Sequence, residues 1–264
     1  MQLIFLRIFT IAIMFKISII SMLIGLSAII LKAGAQTNFA QQQRKNVRVQ
    51  NAFNEKKECI SDSLKLQNID FSSFNMIIIA FKEEGLLEVW AKPINALAYK
   101  KVRTLSICNS SGSLGPKQAQ GDGQVPEGFY RINIFNPASS YHLSLGIDYP
   151  NAADRARSKA KDLGGQIFIH GKCVTIGCLP LTDQGIKELY VYAVQAKSSG
   201  QAQIPVYIFP FRMNENIFNQ HIASIKTQPW LIGFWKNLKQ GYDLFSTSHQ
   251  GLAVSVDKHG QYTY

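Results

Sequence analysis

The sequence has no internal repeat and no low-complexity block, which excludes a solenoid and points to a packed globular domain. It is short of acid, with 17 Asp and Glu against 28 Lys and Arg and a formal net charge of +11. Three of those positive charges, Arg7, Lys16 and Lys32, lie in an N-terminal stretch without an acidic residue, which leaves +8 for the remainder. A basic surface suits an acidic substrate or an anionic surface. No basic cluster is interleaved with stacking aromatics, so nucleic acid is not an expected partner. Cysteine is scarce too: four residues, Cys59, Cys108, Cys173 and Cys178. His170, Cys173 and Cys178 give three soft ligands without a clear fourth, so neither a metal nor a cofactor is expected.

The N-terminus reads as a targeting segment. Residues 17–31 are almost wholly apolar and lie between Lys16 and Lys32. Ala33-Gly34-Ala35 then fits the small-x-small pattern of signal-peptide cleavage, which makes Gln36 the first mature residue. The alternative is an uncleaved anchor, a membrane tether, although Lys16 interrupts the apolar run. No cysteine sits in the small-residue region, so a lipid anchor is not expected. Either way residues 1–35 imply export, to the periplasm or cell envelope, where the cysteines are free to pair.

Residues 36–51 are polar and read as a tether; with 52–70, weakly helical, they form a lead-in to about residue 72. Asn75–Phe81 and Leu86–Ala91 predict a hairpin across Lys82-Glu83-Glu84-Gly85. Further strands are expected at 99–108, 129–134, 141–147 and 204–209. Between them, 109–128 is a long loop rich in Gly, Ser, Pro and Gln, and loops of that length inside a domain tend to carry function. Ile186, Leu189, Tyr190, Ala193 and Val194 fall at helical spacing behind an N-cap at Thr182 or Asp183. Residues 213–264 read as a helical C-terminal extension, with Trp230 and Trp235 as packing residues. The fold class is α+β, a strand-rich domain over 73–212 with flanking helices.

One segment carries chemistry. Gln166–Ile169 is β-branched and aromatic, a buried strand that delivers His170 to its end. Gly171 and Gly177 then bracket a loop that folds Cys178 back toward His170. A thiol attacks as thiolate, and an imidazole is the usual group that generates it. The plainer alternative is a buried small cysteine and a core histidine. Cys173 is open between a structural role, a redox partnership with Cys178 and metal ligation. Asp154 and Arg155 read as a local ion pair or cap.

The pattern His170-Gly171 followed by Thr175-Ile176-Gly177-Cys178 resembles the L,D-transpeptidase catalytic domain of the YkuD type, in particular its YafK-like murein branch. Gly121–Tyr130, Asn136-Pro137 with Ser139-Ser140-Tyr141, Tyr149–Arg155 and Ile204–Met213 match in the same order, so the likeness spans about 73–245. Two departures stand out: Ile176 replaces a second histidine that many members carry, and Leu179-Pro180-Leu181 replaces the arginine that often follows the cysteine. A clamp for the substrate carboxylate must therefore come from elsewhere.

The resemblance implies a β-sandwich or barrel and acyl transfer on peptidoglycan stem peptides. Cys178 would be the nucleophile and His170 the proton donor and acceptor. Backbone amides around Ile176, Gly177 and Cys178 would form the oxyanion hole, with Thr175 and Gly171 supporting the loop. Asp122, Gln124 and Glu127 are candidate stem-peptide contacts, with turn chemistry as their alternative. A hydrolase with the same chemistry and a non-catalytic wall-binding protein are the competing functions.

Overall fold

The computed structural model describes residues 39–264; the targeting segment and cleavage site expected from the sequence lie outside them. Among the described residues a helical stretch at 39–44 is followed by α1 (Val47–Lys65), β1 (Phe74–Phe81), β2 (Leu86–Pro93), β3 (Lys100–Ser106), β4 (Gly128–Asn136), β5 (Ser144–Ile147), α2 (Ala152–Arg157), β6 (Phe168–His170), β7 (Leu179–Pro180), α3 (Asp183–Ser198), β8 (Pro205–Phe209), α4 (Glu215–Ser224), α5 (Pro229–Ser248), β9 (Ser255–Val256) and β10 (Tyr262–Thr263).

Eight strands form one sheet in the order β3-β2-β1-β8-β4-β5-β6-β7, with β1 and β8 parallel and β6 and β7 parallel. The sheet curls until its two edges meet. Ile107, just past β3, bridges Leu181, just past β7, and the Cys108 amide donates to the Pro180 carbonyl at 3.0 Å. A Cys108–Cys173 disulfide lies at this seam. The edge-to-edge closure shields backbone groups that an open sheet would leave unpaired.

Both faces of the sheet are covered, which explains the continuous apolar run of β1. Its alternate residues Met76, Ile78 and Ala80 join a core with α1 and α3, while Ile77, Ile79 and Phe81 join a second core with α4 and α5. In β8, Val206 and Ile208 face the first core, and Tyr207 and Phe209 the second. The C-terminal segment is thus a layer of the same domain rather than an appendage. Its last residues, read from sequence as part of a helical extension, instead form the β9–β10 hairpin and bury Tyr262 against Phe129.

The tether expectation is corrected as well. Residues 39–44 are helical, and α1 runs for 19 residues from an Asn46 cap whose side chain accepts from the Arg48 amide. Val49, Ala52, Phe53, Ile60 and Leu64 recur at helical spacing and are buried. So few apolar residues among Gln, Asn, Lys and Arg suffice because they share one stripe, packed against α3.

The long loop is ordered by a buried ion pair. Lys82, just past β1, donates to the carbonyls of Ser113, Gly115 and Val125 and to Glu127 Oε1 at 2.9 Å. Glu127 is fully buried and also accepts from the Gly115 amide at 2.7 Å and from Trp235 Nε1 at 2.9 Å.

Candidate active site

The site forms where β6 and β7 run side by side. The parallel register pairs Ile169 with Leu179 and His170 with Pro180. Extended by one step, it sets Cys178 beside Phe168. The Phe168 amide donates to Cys178 Sγ at 3.4 Å, and the thiol reaches the Gln166 carbonyl at 3.8 Å. Neither contact of the sulfur is to the imidazole. Sequence alone proposed a thiol polarised directly by His170; among the described residues the resting thiol is instead hydrogen-bonded to backbone.

His170 is 2% exposed and its ring lies 4.6 Å from that of Tyr141. Its Nδ1 is 2.6 Å from the Gly171 carbonyl. A carbonyl only accepts, so Nδ1 carries the proton and Nε2 presents the lone pair. This carbonyl orients the His170 ring. Burial pulls the His170 pKa below its ordinary value, against the opposing Gly171 hydrogen bond. Burial likewise pushes the Cys178 thiol up, with the Phe168 amide and the Lys117 ammonium acting in the other direction. The pair is therefore neutral at rest: a thiol and an imidazole, not a thiolate and an imidazolium.

The loop between them is built by Thr175. Its hydroxyl oxygen accepts from the Cys178 amide at 2.8 Å and the Gly177 amide at 3.2 Å, and donates to the Cys178 carbonyl at 2.8 Å. Two of the amides expected at the oxyanion hole, those of Gly177 and Cys178, are thus engaged inside the loop. Ile176, 90% exposed, stands at the loop's tip. Gly177 has φ +122°, and a Cβ there would lie 3.0 Å from the Gln124 carbonyl, so the position needs glycine twice over. At Gly171 a Cβ would lie 2.7 Å from Asp183 Oδ1 and 2.8 Å from the Tyr141 carbonyl.

The other predicted residues are placed differently. Asp122 accepts from Lys117 Nζ at 2.6 Å and from the amides of Gln118, Ala119 and Gln124, which is turn chemistry. Gln124 bonds Ser113 through both ends of its amide. Glu127 has no exposed surface for a substrate, which removes it from the stem-peptide contacts. Cys173 is bonded to Cys108, so it is neither a redox partner of Cys178 nor a thiolate ligand; Cys178 and Cys59 are free. Asp154 does cap α2, reciprocally with Asn151, but pairs with Arg157 rather than Arg155. Trp235 is 1% exposed, as expected of packing, whereas Trp230 is 52% exposed. Sequence reasoning missed the stacking of Tyr141 on His170, for which the Asn136–Tyr141 match was the one signal.

A thiol with a tautomer-fixed imidazole, at the seam of a curled sheet, defines the class. The L,D-transpeptidase catalytic domain model, YkuD, matches residues 76–208, half of the chain. The Escherichia coli (strain K12) protein YafK, provisionally named an L,D-transpeptidase, is 40% identical over 178 residues, covering 67% of this chain and 68% of its own. The chain belongs to the L,D-transpeptidase family. Among solved structures, the helical cell shape determining protein Pgp2 from Campylobacter jejuni aligns with TM-score 0.42 and 17% identity over 70% of this chain and 74% of its own. A variant form of Pgp2 aligns with TM-score 0.42 and 21% identity, over 65% of this chain and 59% of its own. Bd1075 of Bdellovibrio bacteriovorus aligns with TM-score 0.37 and 18% identity, over 67% and 72%.

Proposed function

We propose that the protein is an exported peptidoglycan L,D-transpeptidase that uses Cys178 as its nucleophile. The observation that carries this reading is the His170 Nδ1 contact to the Gly171 carbonyl, which leaves Nε2 as a base, with the free thiol of Cys178 held beside Phe168 of the same strand. The substrate is a stem peptide. Sγ bonds to the carbonyl carbon between the L-centre of diaminopimelate and the following D-residue while His170 Nε2 takes the thiol proton. The C–N bond breaks, the leaving amine takes that proton, and a thioester remains. An acceptor amine gives its proton to Nε2 and attacks the thioester carbon, the C–S bond breaks, and the Cys178 sulfur takes the proton back from Nε2. The neutral resting pair suits this order, because proton transfer accompanies attack and no buried charge pair has to be maintained beforehand.

Water in place of the amine makes the same site a hydrolase. Incubation with muropeptides followed by mass spectrometry tests the reading: crosslinked or transferred product is expected from the wild-type chain and none from Cys178→Ala. His170→Ala is expected to lower turnover by about 10²–10⁴-fold. Trimmed monomers alone would make it a hydrolase, and full turnover by Cys178→Ala would remove the cysteine mechanism.

A further inference from the structure

The imidazole of His170 packs against a loop rather than a regular element. Residues 137–143 join β4 to β5, and within them the Tyr141 ring lies 4.6 Å from that of His170. A Cβ added at Gly171 would sit 2.8 Å from the Tyr141 carbonyl, so the loop backbone is close as well. Tyr141 is 45% exposed and His170 only 2%, so the tyrosine is the outer member of the stack. The loop carries strain. His142 has φ +72°, in the left-handed region that a side chain disfavours, and its Nε2 is buried without a hydrogen-bond partner among the described residues. Such a conformation persists only where its surroundings over-determine it.

Two ties come from the segment that follows His170: the Gly171 amide donates to the Leu143 carbonyl at 3.2 Å, and Lys172 Nζ to the Ser140 carbonyl at 3.0 Å. Another comes from α1. Arg48 Nη1 donates to the Ser139 carbonyl at 2.6 Å and to the His142 carbonyl at 2.8 Å, so one guanidinium nitrogen spans Tyr141. These acceptors lie 91 and 94 residues further along the chain. Arg48 sits in the first turn of α1, which holds no acidic residue, and a cation there opposes the helix macrodipole. Its place is therefore not explained by the helix that carries it. The helix is a firm base, because its buried stripe packs on α3 and Glu55 pairs with Lys187 at 2.8 Å. Arg48 also lies outside residues 76–208, the part that matches the catalytic-domain model, so the loop on His170 is braced by a segment that precedes that match.

We infer that Arg48 is a positioning residue for His170: by fixing the β4–β5 loop on both sides of Tyr141 it keeps the tyrosine ring on the imidazole, which stays covered and in one orientation. The brace stands on geometry alone; its effect on turnover rests on the function given above. Without Arg48 the loop keeps its ties to Gly171 and Lys172 but loses the hold on the Ser139 and His142 carbonyls, and Tyr141 is free to lift from the ring.

The cover is measured on the resting full chain, in non-ionic detergent and without substrate. Diethyl pyrocarbonate acylates an accessible imidazole, and peptide mapping resolves the histidines, with exposed His259 between β9 and β10 as the internal reference. Arg48→Ala is expected to speed labelling of His170 about tenfold relative to His259, since one hydrogen bond to a charged group is worth at least that factor in a local opening. Arg48→Lys should restore the protection, because an ammonium also donates to two carbonyls. In Tyr141→Ala the His170 label is expected to be fast already, and adding Arg48→Ala should change it by no more than about twofold, the non-additivity of a residue that acts through Tyr141. On muropeptides, Arg48→Ala should lower kcat about tenfold with KM within about twofold, and Arg48→Lys should recover most of the loss. A residue that served only the fold would lower the urea midpoint and leave the kcat of the folded enzyme alone. Should the alanine chain not fold, Arg48→Gln replaces it with the same expectations. Unchanged His170 labelling in a folded variant, protection that Arg48→Lys does not restore, or an unchanged kcat overturns the proposal. Faster labelling in Arg48→Ala when even the wild-type chain turns over no muropeptide upholds the brace and refutes the transpeptidase reading instead.

Discussion

Breaking the Cys108–Cys173 bridge is expected to loosen the catalytic loop as well as the fold. The bond joins residues 65 apart and sits where the two edges of the sheet meet. Closing a loop of that length removes about 4 kcal/mol of chain entropy from the unfolded state. Without it, that seam retains the Ile107–Leu181 bridge, the Cys108 amide to Pro180 carbonyl bond and the Asn109 side-chain bond to the Cys173 carbonyl at 3.0 Å. For a domain of this size each kcal/mol shifts Tm by about 2–4 °C, so Cys108→Ala is expected to lower Tm by roughly 8–16 °C. Cys173 lies inside the loop that ends at Cys178, so acylation of Cys178 by a carbapenem should slow about tenfold, less than the roughly hundredfold that a 1 Å misplacement causes. The assays are differential scanning calorimetry with and without reductant, and the acylation rate by intact mass. Reductant should reproduce the Cys108→Ala melt in wild type and change nothing in the variant. An unreduced, unfolded wild-type chain should titrate two thiols, those of Cys59 and Cys178. Four titratable thiols, or a Tm that does not move in Cys108→Ala, would refute the reasoning.

Three further outcomes follow from the same geometry. Burial lowers the His170 pKa, so Nε2 stays unprotonated below its ordinary value of 6.5, and the acidic limb of kcat/KM is expected under pH 6.5; the folded state, which holds this ring neutral, should lose stability as pH falls through that region because the unfolded chain binds the proton first. Burial raises the Cys178 thiol, so alkylation of the free protein by iodoacetamide should have its midpoint above pH 9, and a midpoint near neutrality would mean a preformed ion pair with His170. Glu127→Ala should cost about 3–5 kcal/mol by urea unfolding, since it strands the buried Lys82 ammonium, and Thr175→Val should cost about 1–3 kcal/mol and slow acylation by leaving the Gly177 and Cys178 amides unpaired.

What the sequence discloses is local. His170-Gly171 and Gly177-Cys178 are legible because a strand end and two glycines declare themselves within ten residues, and Gly177 indeed takes a φ of +122°. The β1–β2 hairpin and α3 are legible because their apolar periods are strong, and Thr182 does cap α3. Helix α1 is legible only as a weak helix over 52–70, and its first turn not at all, because its stripe of buried residues is diluted by polar neighbours on the exposed face. Glu127 and the disulfide escaped for a different reason: their partners lie on other elements, at Lys82 and Trp235 and at Cys108. Trp230 and Trp235 are five positions apart on one helix, yet only one packs; which side of α5 faces the sheet is a tertiary fact.

The central claim is that Cys178 carries the acyl group. Intact mass and peptide mapping after brief incubation of the full chain with a carbapenem and, separately, with stem tetrapeptide test it most directly. The account predicts a single adduct on Cys178 that disappears in Cys178→Ala and forms slowly in His170→Ala. An adduct on Cys59, or product formation without any adduct at Cys178, would contradict it.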